Sequence, residues 1–285
     1  MRQAIKKILV GIVRVLINLF GQGWRRRWGI ILREAMSSNG YDEVIKAIET
    51  PRGTVRFHCL DNLPLWRAET LLTKEPETIE WIDTMEDGDV LFDIGANVGV
   101  YTLYAAINKK VKVKAFEPLA ANYYLINRNI EKNGLSDVAT AYCMALNDQD
   151  LISTLHIQNT GFGSAVSSFD DPIDHNGERF EAKFNQGMVG MSLDSFIAKF
   201  DPEFPTHIKI DVDGIEDKIV KGAVKTLADP RLKSVSIELD QDRPDYTGAV
   251  IADIEAAGFT LATKRHAPMF EGTPYANIYN YQFRR

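Results

Sequence analysis

The chain has 285 residues, of which 45% are hydrophobic, and it carries a formal net charge of −6. This length and apolar content can bury a full core, so we expect one large α/β domain with an N-terminal extension rather than two equal domains. The negative charge argues against general nucleic-acid binding, because no basic stripe occurs beyond the N-terminus. The five histidines lack the short spacings of a zinc site, so no metal centre is predicted.

Residues 1–50 are predicted to form a helical extension in front of a main domain over residues 51–285. Apolar side chains recur there at helical spacing, namely Ile5, Ile8, Leu9, Ile12, Leu16, Leu19 and Phe20. Basic residues accompany them, namely Arg2, Lys6, Lys7, Arg14, Arg25, Arg26 and Arg27. The stretch is short for a membrane span and lacks a small-residue cleavage site.

Two interpretations of residues 1–28 stay open. They form a basic amphipathic helix on an anionic membrane surface, or the helix packs on protein. The first interpretation describes a cytoplasmic protein at the inner face of a membrane. The two cysteines, Cys59 and Cys143, lie far apart in apolar runs, and we predict that both are buried and reduced, as in a cytosolic protein.

The most informative run is VLFDIGANVGVY, in which an apolar strand ends at Asp93 and turns through Gly95, Asn97 and Gly99 into a helix. Gly and Asn are the residues that adopt positive φ most readily, so they suit a tight turn that a ligand approaches. A dinucleotide turn reads G-x-G-x-x-G and holds a pyrophosphate, and here a valine replaces its last glycine. The acidic residue would repel a pyrophosphate, but it suits the cationic amino acid end of S-adenosylmethionine.

A second acidic residue, Glu117, follows the predicted strand 111–117. In doubly wound sheets, an acidic side chain about 20 residues past the glycine turn accepts hydrogen bonds from ribose hydroxyls. The spacing from Gly99 to Glu117 fits this role. The alternative is that Glu117 only caps the helix that begins near Leu119.

The remaining pattern is typical of a mostly parallel sheet with helices on both faces. Strands are predicted near residues 90–94, 111–117, 138–143, 207–212, 233–239, 259–265 and 277–283, and helices at 98–108, 120–133, 192–200, 215–228 and 247–257. The short connection before the last strand predicts an antiparallel hairpin. Residues 158–187 break the pattern, and we predict an irregular insertion that acts as a lid or binding loop, with a solvated excursion as the alternative.

The strand 207–212 alternates apolar and ionisable residues, which places Asp211 near its carboxyl end, on the same rim as Asp93 and Glu117. Ligands of open α/β sheets bind at this rim, so Asp211 is the first candidate for a general base that deprotonates a substrate hydroxyl. His175 in the insertion and His207 are the alternatives. Asp211 could instead hold the cofactor's amino group or orient Lys209.

These motifs together resemble the FkbM-type family of S-adenosylmethionine-dependent methyltransferases. The resemblance covers about residues 62–259 and is carried by VLFDIGANVGVYTLYAA, AFEPLAANYYLINRNI, Ala145-Leu146, LDSFIAKF, IKIDVDGIEDKIVKGA and SIELD. It implies a class I methyltransferase (Rossmann-like) fold, α/β and doubly wound, with a seven-stranded sheet that is mostly parallel and has an antiparallel last strand. It also implies O-methylation of a hydroxyl, commonly on a sugar, a glycan or a glycan-linked small molecule.

Carried over by motif, the resemblance assigns S-adenosylmethionine contacts to several residues. The methionine end would lie on Asp93, Gly95, Ala96, Asn97 and Gly99, the ribose on Glu117, and the adenine on the turn 144–147 with Met144 and Ala145, while Asp211 completes the set. Two rival functions are weighed against this one. A nicotinamide-dependent oxidoreductase is disfavoured by the glycine spacing, and a non-catalytic scaffold is disfavoured because the acidic residues of both motifs are intact.

Overall fold

The computed structural model describes residues 2–18, 27, 31, 44–266, 268–273 and 275–285. The chain divides into two units, Met1–Val44 and Ile45–Arg285. The boundary expected at residue 50 falls at the end of the first strand of the second unit.

The first unit contains helix α1 (Arg2–Asn18). Large apolar side chains along it are 43–62% exposed, among them Ile8, Leu9, Ile12 and Leu16. No helix among the described residues combines the length and the apolar character that a membrane span requires. Several residues of the predicted amphipathic pattern lie outside the described part of the chain, namely Leu19, Phe20, Arg25 and Arg26.

The second unit alternates strands and helices. Its strands are β1 (Ile45–Thr50), β2 (Gly53–His58), β3 (Val90–Ile94), β4 (Lys112–Phe116), β5 (Ala139–Tyr142), β6 (Ala145–Asn147), β7 (Leu151–Ile157), β8 (Ser167–Phe169), β9 (Phe184–Ser192), β10 (His207–Ile210), β11 (Ser234–Asp240), β12 (Thr260–Arg265) and β13 (Ile278–Arg284). Its helices are α2 (Asn62–Glu69), α3 (Pro76–Asp83), α4 (Val100–Ala106), α5 (Ala120–Lys132), α6 (Leu193–Phe200), α7 (Glu216–Lys221), α8 (Val224–Ala228) and α9 (Pro244–Ala256). The helix expected at 215–228 is interrupted and forms α7 and α8.

The main sheet has seven strands in the order β12-β13-β11-β10-β3-β4-β5. Strand β13 runs antiparallel to both β11 and β12, and the other pairings are parallel, so the expected fold class is confirmed. The chain passes from β3 outward to β5 and returns to β10 on the other side of β3. This reversal opens a crevice at the carboxyl ends of β3 and β10, which is where open α/β sheets bind ligands.

The central strand β3 is buried along its whole length, as its run of apolar residues predicts for a parallel strand covered on both faces. Phe92 and Ile94 join the hydrophobic cluster on one face of the sheet, and Leu91 joins the cluster on the other. Because side chains alternate along β3, this strand packs against the hydrophobic clusters on both faces of the sheet. This packing fixes the position of its carboxyl end at the crevice.

A second sheet has the order β6-β9-β7-β8 and was not expected. The predicted turn at 144–147 is instead the short strand β6, paired with β9. Part of the predicted irregular insertion is also regular, because β7 pairs with both β8 and β9. The frequent Gly and Ser residues of this region hide its strand pattern. The hairpin β1–β2 and the eight-residue helices α2 and α3 were likewise missed, because short elements show little periodicity.

The prediction for the cysteines is half right. Both are free, and Cys59 is buried, but Cys143 is exposed. Cys143 follows β5 at the end of the sheet, where its thiol points to the carbonyl of Pro118 at 3.8 Å. Its apolar neighbours in sequence belong to the strand, and the cysteine itself lies beyond the strand.

Candidate active site

A cavity of about 500 Å³ lies at the carboxyl ends of β3, β4, β10 and β11. Its wall includes most of the residues expected to bind the cofactor, namely Asp93, Gly95, Ala96, Asn97, Glu117, Met144, Ala145 and Asp211. Among the candidate bases, it also includes His175. The convergence of these side chains on one cavity follows from the sheet order, since their strands are adjacent.

The turn after β3 has the geometry expected from its glycines. Gly95, Asn97 and Gly99 have φ values of 81°, 52° and 83°, all in the left-handed region. A Cβ on Gly95 would lie 1.8 Å from the carbonyl oxygen of Asp211, so only glycine lets the turn approach the end of β10. A Cβ on Gly99 would lie 2.6 Å from a side-chain carbon of Ile126. Gly99 therefore packs α4 against α5 and is not part of the cavity wall, unlike its predicted role.

Asp93, a residue of the cavity wall, has a buried acceptor without a partner. Its Oδ2 accepts a hydrogen bond from the Thr102 hydroxyl at 2.5 Å, while Oδ1 has no partner within the described part of the chain. The residue is 1% exposed, and burial raises the pKa of its carboxyl group. A buried acceptor without a donor is costly unless a ligand supplies one. The cationic amino group of S-adenosylmethionine can supply the hydrogen-bond donor that the Oδ1 of Asp93 lacks, so Asp93 fits this cofactor.

Glu117 fulfils the capping role that the sequence left open, while its contact with a ribose stays a prediction. Its Oε2 accepts a hydrogen bond from the backbone N–H of Asn97 at 2.7 Å, and its Oε1 accepts one from Leu119 at 2.8 Å. Glu117 thus caps α5 and also braces the glycine turn. Each oxygen retains a second lone pair for a hydroxyl donor. Burial raises the pKa of Glu117 to about 7, even though the backbone donors favour its ionised form.

The insertion is fastened to the turn through two asparagines, Asn97, which was predicted as part of the turn, and Asn122, which was not predicted. The amide nitrogens of Asn97 and Asn122 both donate to the carbonyl of Ser164, at 2.9 and 3.0 Å. Asn122 also accepts a hydrogen bond from the backbone of Gly163 at 2.8 Å. Asn122 is 1% exposed. The sequence signal that could have identified it is an asparagine in the apolar stripe of an amphipathic helix, because a buried amide requires partners. The insertion therefore forms one wall of the cavity.

Asp211 lies in the cavity and forms an ion pair with Lys209. The ammonium group donates to its Oδ2 at 2.5 Å and lies 4.9 Å from the centre of the Tyr101 ring. Burial by itself would raise the pKa of Asp211, but Lys209 and Lys74 outweigh burial and lower it to about 2. Burial by itself would lower the pKa of Lys209, but the nearby carboxylates of Asp211 and Asp93 outweigh burial and raise it. Asp211 is therefore ionised and only weakly basic.

Two further carboxylates accompany Asp211, and the sequence analysis missed both. Oxygen atoms of Glu75, Asp211 and Glu238 lie within 4.8 Å of one another. We call these three residues the acidic cluster. Lys74 forms an ion pair with Glu75, so two ammonium groups already lie among the three carboxylates. Glu238 belongs to the SIELD segment, where it could have been found because it lies near the carboxyl end of the strand next to β10.

The two candidate histidines have different outcomes. His175 lies on the cavity wall, with its ring 5.6 Å from that of Tyr275. His207 is the first residue of β10, at the opposite end of the strand, where its ring nitrogens lie 2.9 Å from Asp89 and 2.7 Å from Ser234. The prediction of His207 as a catalytic base is therefore wrong. Strand alternation shows which face of the sheet a side chain lies on, but not which end of the strand it is near. His207 is at the amino end of β10, and the cavity is at the carboxyl end.

The sequence matches the family model of the Methyltransferase FkbM domain over residues 93–261. It is 26% identical to the 31-O-demethyl-FK506 methyltransferase FkbM of Streptomyces tacrolimicus, over 66% of this chain and 79% of that protein. It is 23% identical to the hexuronic acid methyltransferase AglP of Haloferax volcanii, over 64% of this chain and 70% of that protein.

Solved structures with a similar fold share little sequence with this chain. A putative rRNA methylase from Clostridium thermocellum has a TM-score of 0.45 and 8% identity, with 73% of this chain and 93% of that chain covered. The TYW2 protein of P. horikoshii in complex with MeSAdo has a TM-score of 0.42 and 11% identity, with 85% and 71% covered. The family model covers more than half of the chain, so the protein belongs to the FkbM methyltransferase family, and its cofactor is S-adenosylmethionine.

Proposed function

We propose that the protein transfers a methyl group from S-adenosylmethionine to a hydroxyl oxygen of a sugar, a glycan or a glycan-linked small molecule. The observation that carries this proposal is the division of one cavity into two ends. Asp93 and Glu117 present acceptors at the end formed by β3 and β4, and the acidic cluster lies at the end formed by β10 and β11. The first end fits the cofactor, and the second fits a hydroxyl-bearing acceptor.

The cofactor end is assigned residue by residue. The unpartnered Oδ1 of Asp93 accepts a hydrogen bond from the amino group, and the turn at Gly95 admits the methionine moiety close to the backbone. Glu117 accepts hydrogen bonds from the ribose hydroxyls. Met144 and Ala145, which lie on the cavity wall, contact the adenine. When bound, the cofactor supplies a methyl group that is already activated on a sulfonium sulfur.

The residues of the chain then align the acceptor, exclude water and manage a proton. Asp211 is held in place by Lys209 and is ionised, so it accepts a hydrogen bond from the acceptor hydroxyl and orients it. Its lowered pKa makes it an orienting group rather than the base. The insertion, fastened to Asn97 and Asn122, covers the cavity and limits the access of water.

The assignment of a sugar as acceptor rests on the outer wall of the cavity. Trp66, Phe270 and Tyr275 line it, and aromatic rings with nearby carboxylates suit the apolar faces and hydroxyls of a sugar ring. Arg67 and Lys74 add positive charge, which suits an acidic sugar. The relatives named for a hexuronic acid and for a demethylated natural product support an oxygen acceptor of this kind.

The direct test is methyl transfer itself. The protein is incubated with S-adenosylmethionine and glycans from cells that lack it, and the products are analysed by mass spectrometry. The proposal expects a mass increase of one methylene group on a sugar hydroxyl. Methylation only of nitrogen or carbon, or of no glycan, would refute it. Calorimetric titration with NAD serves as the control for the rival oxidoreductase and is expected to give no binding heat.

We also propose that α1 lies on an anionic membrane surface, as a cytoplasmic protein would at the inner leaflet. Its exposed apolar side chains, Ile8 and Leu9 among them, accompany the basic residues Lys7 and Arg14 on a helix of 17 residues. Co-sedimentation with vesicles that contain phosphatidylserine tests this proposal. Deletion of residues 1–28 should abolish sedimentation, and unchanged sedimentation would favour packing of the helix on protein.

A further inference from the structure

Methyl transfer to an alcohol requires a group that takes the hydroxyl proton, and this requirement rests on the proposed function. Within the acidic cluster, two of the three carboxylates already have cationic partners. Asp211 pairs with Lys209, and Glu75 pairs with Lys74 and also accepts a hydrogen bond from Thr78 at 3.2 Å. For Asp211, the ammonium group of Lys209 lowers the pKa and so reduces the affinity of the carboxylate for a proton. Asp211 is therefore a weak base, and the oxygens of Glu75 already hold the Lys74 ammonium group and the Thr78 hydroxyl.

Glu238 differs from the other two. No hydrogen bond to its side chain occurs among the described residues, yet it lies on the cavity wall, with an oxygen within 4.8 Å of oxygens of Glu75 and Asp211. Burial raises the pKa of Glu238 well above its usual range, and the neighbouring Asp211 and Glu75 raise it further, while Lys74 and Lys209 oppose them. A carboxylate with a raised pKa is a stronger base than an ordinary glutamate.

The order of the strands places Glu238 on the acceptor side of the cavity. Ribose-binding Glu117 follows β4, Asp93 lies on β3, Asp211 follows β10, and Glu238 lies on β11, so the four residues succeed one another along the edge of the sheet. Glu238 pairs in register with Asn280 of β13, which also lines the cavity. A hydroxyl held by Asp211 would thus lie between the cofactor end and Glu238.

The charges of the cluster support the same assignment. Three ionised carboxylates and the ammonium groups of Lys74 and Lys209 together carry one negative charge. A bound sulfonium brings one positive charge, which balances it. When the methyl group leaves, the sulfonium becomes a neutral thioether, and a proton on Glu238 removes the extra negative charge as well. The site therefore remains neutral before and after transfer, which avoids leaving a buried charge uncompensated.

We propose that Glu238 is the general base of the reaction. The acceptor oxygen forms a bond to the methyl carbon, the bond from that carbon to sulfur breaks with its electron pair left on sulfur, and the hydroxyl proton passes to the carboxylate of Glu238. The products are a methyl ether, S-adenosylhomocysteine and a protonated Glu238, which then releases its proton to solvent.

A binding experiment without an acceptor tests the charge coupling. Calorimetry in buffers of different ionisation enthalpy counts the protons released when the protein binds S-adenosylmethionine or S-adenosylhomocysteine. The two ligands share the amino group and the ribose and differ in the sulfonium charge, so Asp93 and Glu117 contribute equally to both. We expect extra proton release, at near-neutral pH, with S-adenosylmethionine. Glu238→Gln should abolish this difference, and Glu255→Gln, which removes an exposed glutamate of α9, should retain it.

Turnover is then measured with neutral and uronic methyl glycosides as acceptors. Glu238→Gln should bind S-adenosylmethionine normally but transfer methyl groups about 100 to 10,000 times more slowly, and it should lose the rise of rate with pH. In Lys74→Met the rate should begin to rise at a higher pH. The variant removes a positive charge that lowers the pKa of Glu238. A Glu238→Gln rate and pH profile like those of the wild type would overturn the inference.

The two proposals fail in different ways. Absence of transfer by the wild type to every oxygen acceptor would refute the proposed function. The proton count still decides the role of Glu238 in that case, because it requires no acceptor. Equal proton release with both ligands in the wild type would overturn the assignment of Glu238.

Discussion

Replacement of Glu117 by glutamine tests the ribose contact. The carboxylate accepts two backbone N–H groups, at 2.7 and 2.8 Å, and is proposed to accept the ribose hydroxyls as well. A glutamine offers one uncharged oxygen in place of two charged ones. The ribose hydroxyls therefore lose a charged acceptor. Loss of a charged hydrogen bond costs about 1.5–3 kcal/mol. We therefore expect the Kd of S-adenosylmethionine to rise about 10- to 150-fold at pH 8 in Glu117→Gln.

The pH dependence of binding adds a second signature of Glu117. Burial raises its pKa to about 7 from 4.5, and the ribose hydroxyls require the ionised form as acceptor. At pH 6 the carboxyl group must lose a proton before it accepts, which costs about 1.4 kcal/mol, whereas at pH 8 it is already ionised. The wild-type Kd should therefore fall about tenfold between pH 6 and pH 8 from this group. Glu117→Gln should lack that contribution.

Isothermal titration calorimetry at pH 6, 7 and 8 measures both effects. Glu216→Gln is the matched control, because Glu216 is also buried, has its pKa raised to about 7 by burial, and is not on the wall of the main cavity. The control should lower stability without changing the pH dependence of cofactor binding. A Glu117→Gln variant that binds within twofold of the wild type at pH 8 would refute the reasoning.

Three further predictions concern Gly95, Asp211 and Asp89. Gly95→Ala should abolish cofactor binding and lower the melting temperature, because its Cβ would lie 1.8 Å from the Asp211 carbonyl; calorimetric binding like that of the wild type would contradict this. Asp211→Asn should lose turnover by orders of magnitude while cofactor affinity is kept, and near-normal turnover would remove its orienting role. Burial would raise the pKa of Asp89, but hydrogen bonds from Lys233, the backbone N–H of Glu86 and His207 outweigh burial and lower it to about 2 from 3.8, so these contacts together should contribute about 2 kcal/mol at neutral pH that is lost as the pH falls from about 4 to 2. Urea unfolding of Asp89→Asn should therefore differ from the wild type at pH 7 and converge with it at pH 2, and a constant difference would argue against the ion pair.

The glycine turn and the main sheet were predictable because local sequence and tertiary structure agree there. Strand β3 is apolar throughout, and the residues that tolerate positive φ follow it at the required spacing. The acidic residues Asp93, Glu117 and Asp211 come at strand ends, so a parallel sheet brings them together whatever the details of the helices. For the same reason, the cofactor end of the cavity was predicted more completely than the acceptor end.

The acceptor end depends on contacts that leave little trace in sequence. Glu75 precedes the short helix α3 and meets Glu238 only because the two segments pack at the same edge of the sheet. Asp211 was expected to be the base, with orientation of Lys209 as an alternative, because sequence alone does not show that the lysine forms a buried ion pair that lowers the pKa of Asp211. His207 was misassigned because alternation along β10 does not show which end of the strand borders the cavity.

The central claim is that this cavity holds S-adenosylmethionine with its amino group on Asp93 and its ribose on Glu117. A crystal structure of the protein with S-adenosylhomocysteine tests the claim most directly. The account predicts the amino nitrogen within hydrogen-bonding distance of the Asp93 Oδ1 and the ribose hydroxyls against the Glu117 carboxylate. Density for the ligand elsewhere on the protein, or in the cavity with its ribose turned away from Glu117, would contradict the account.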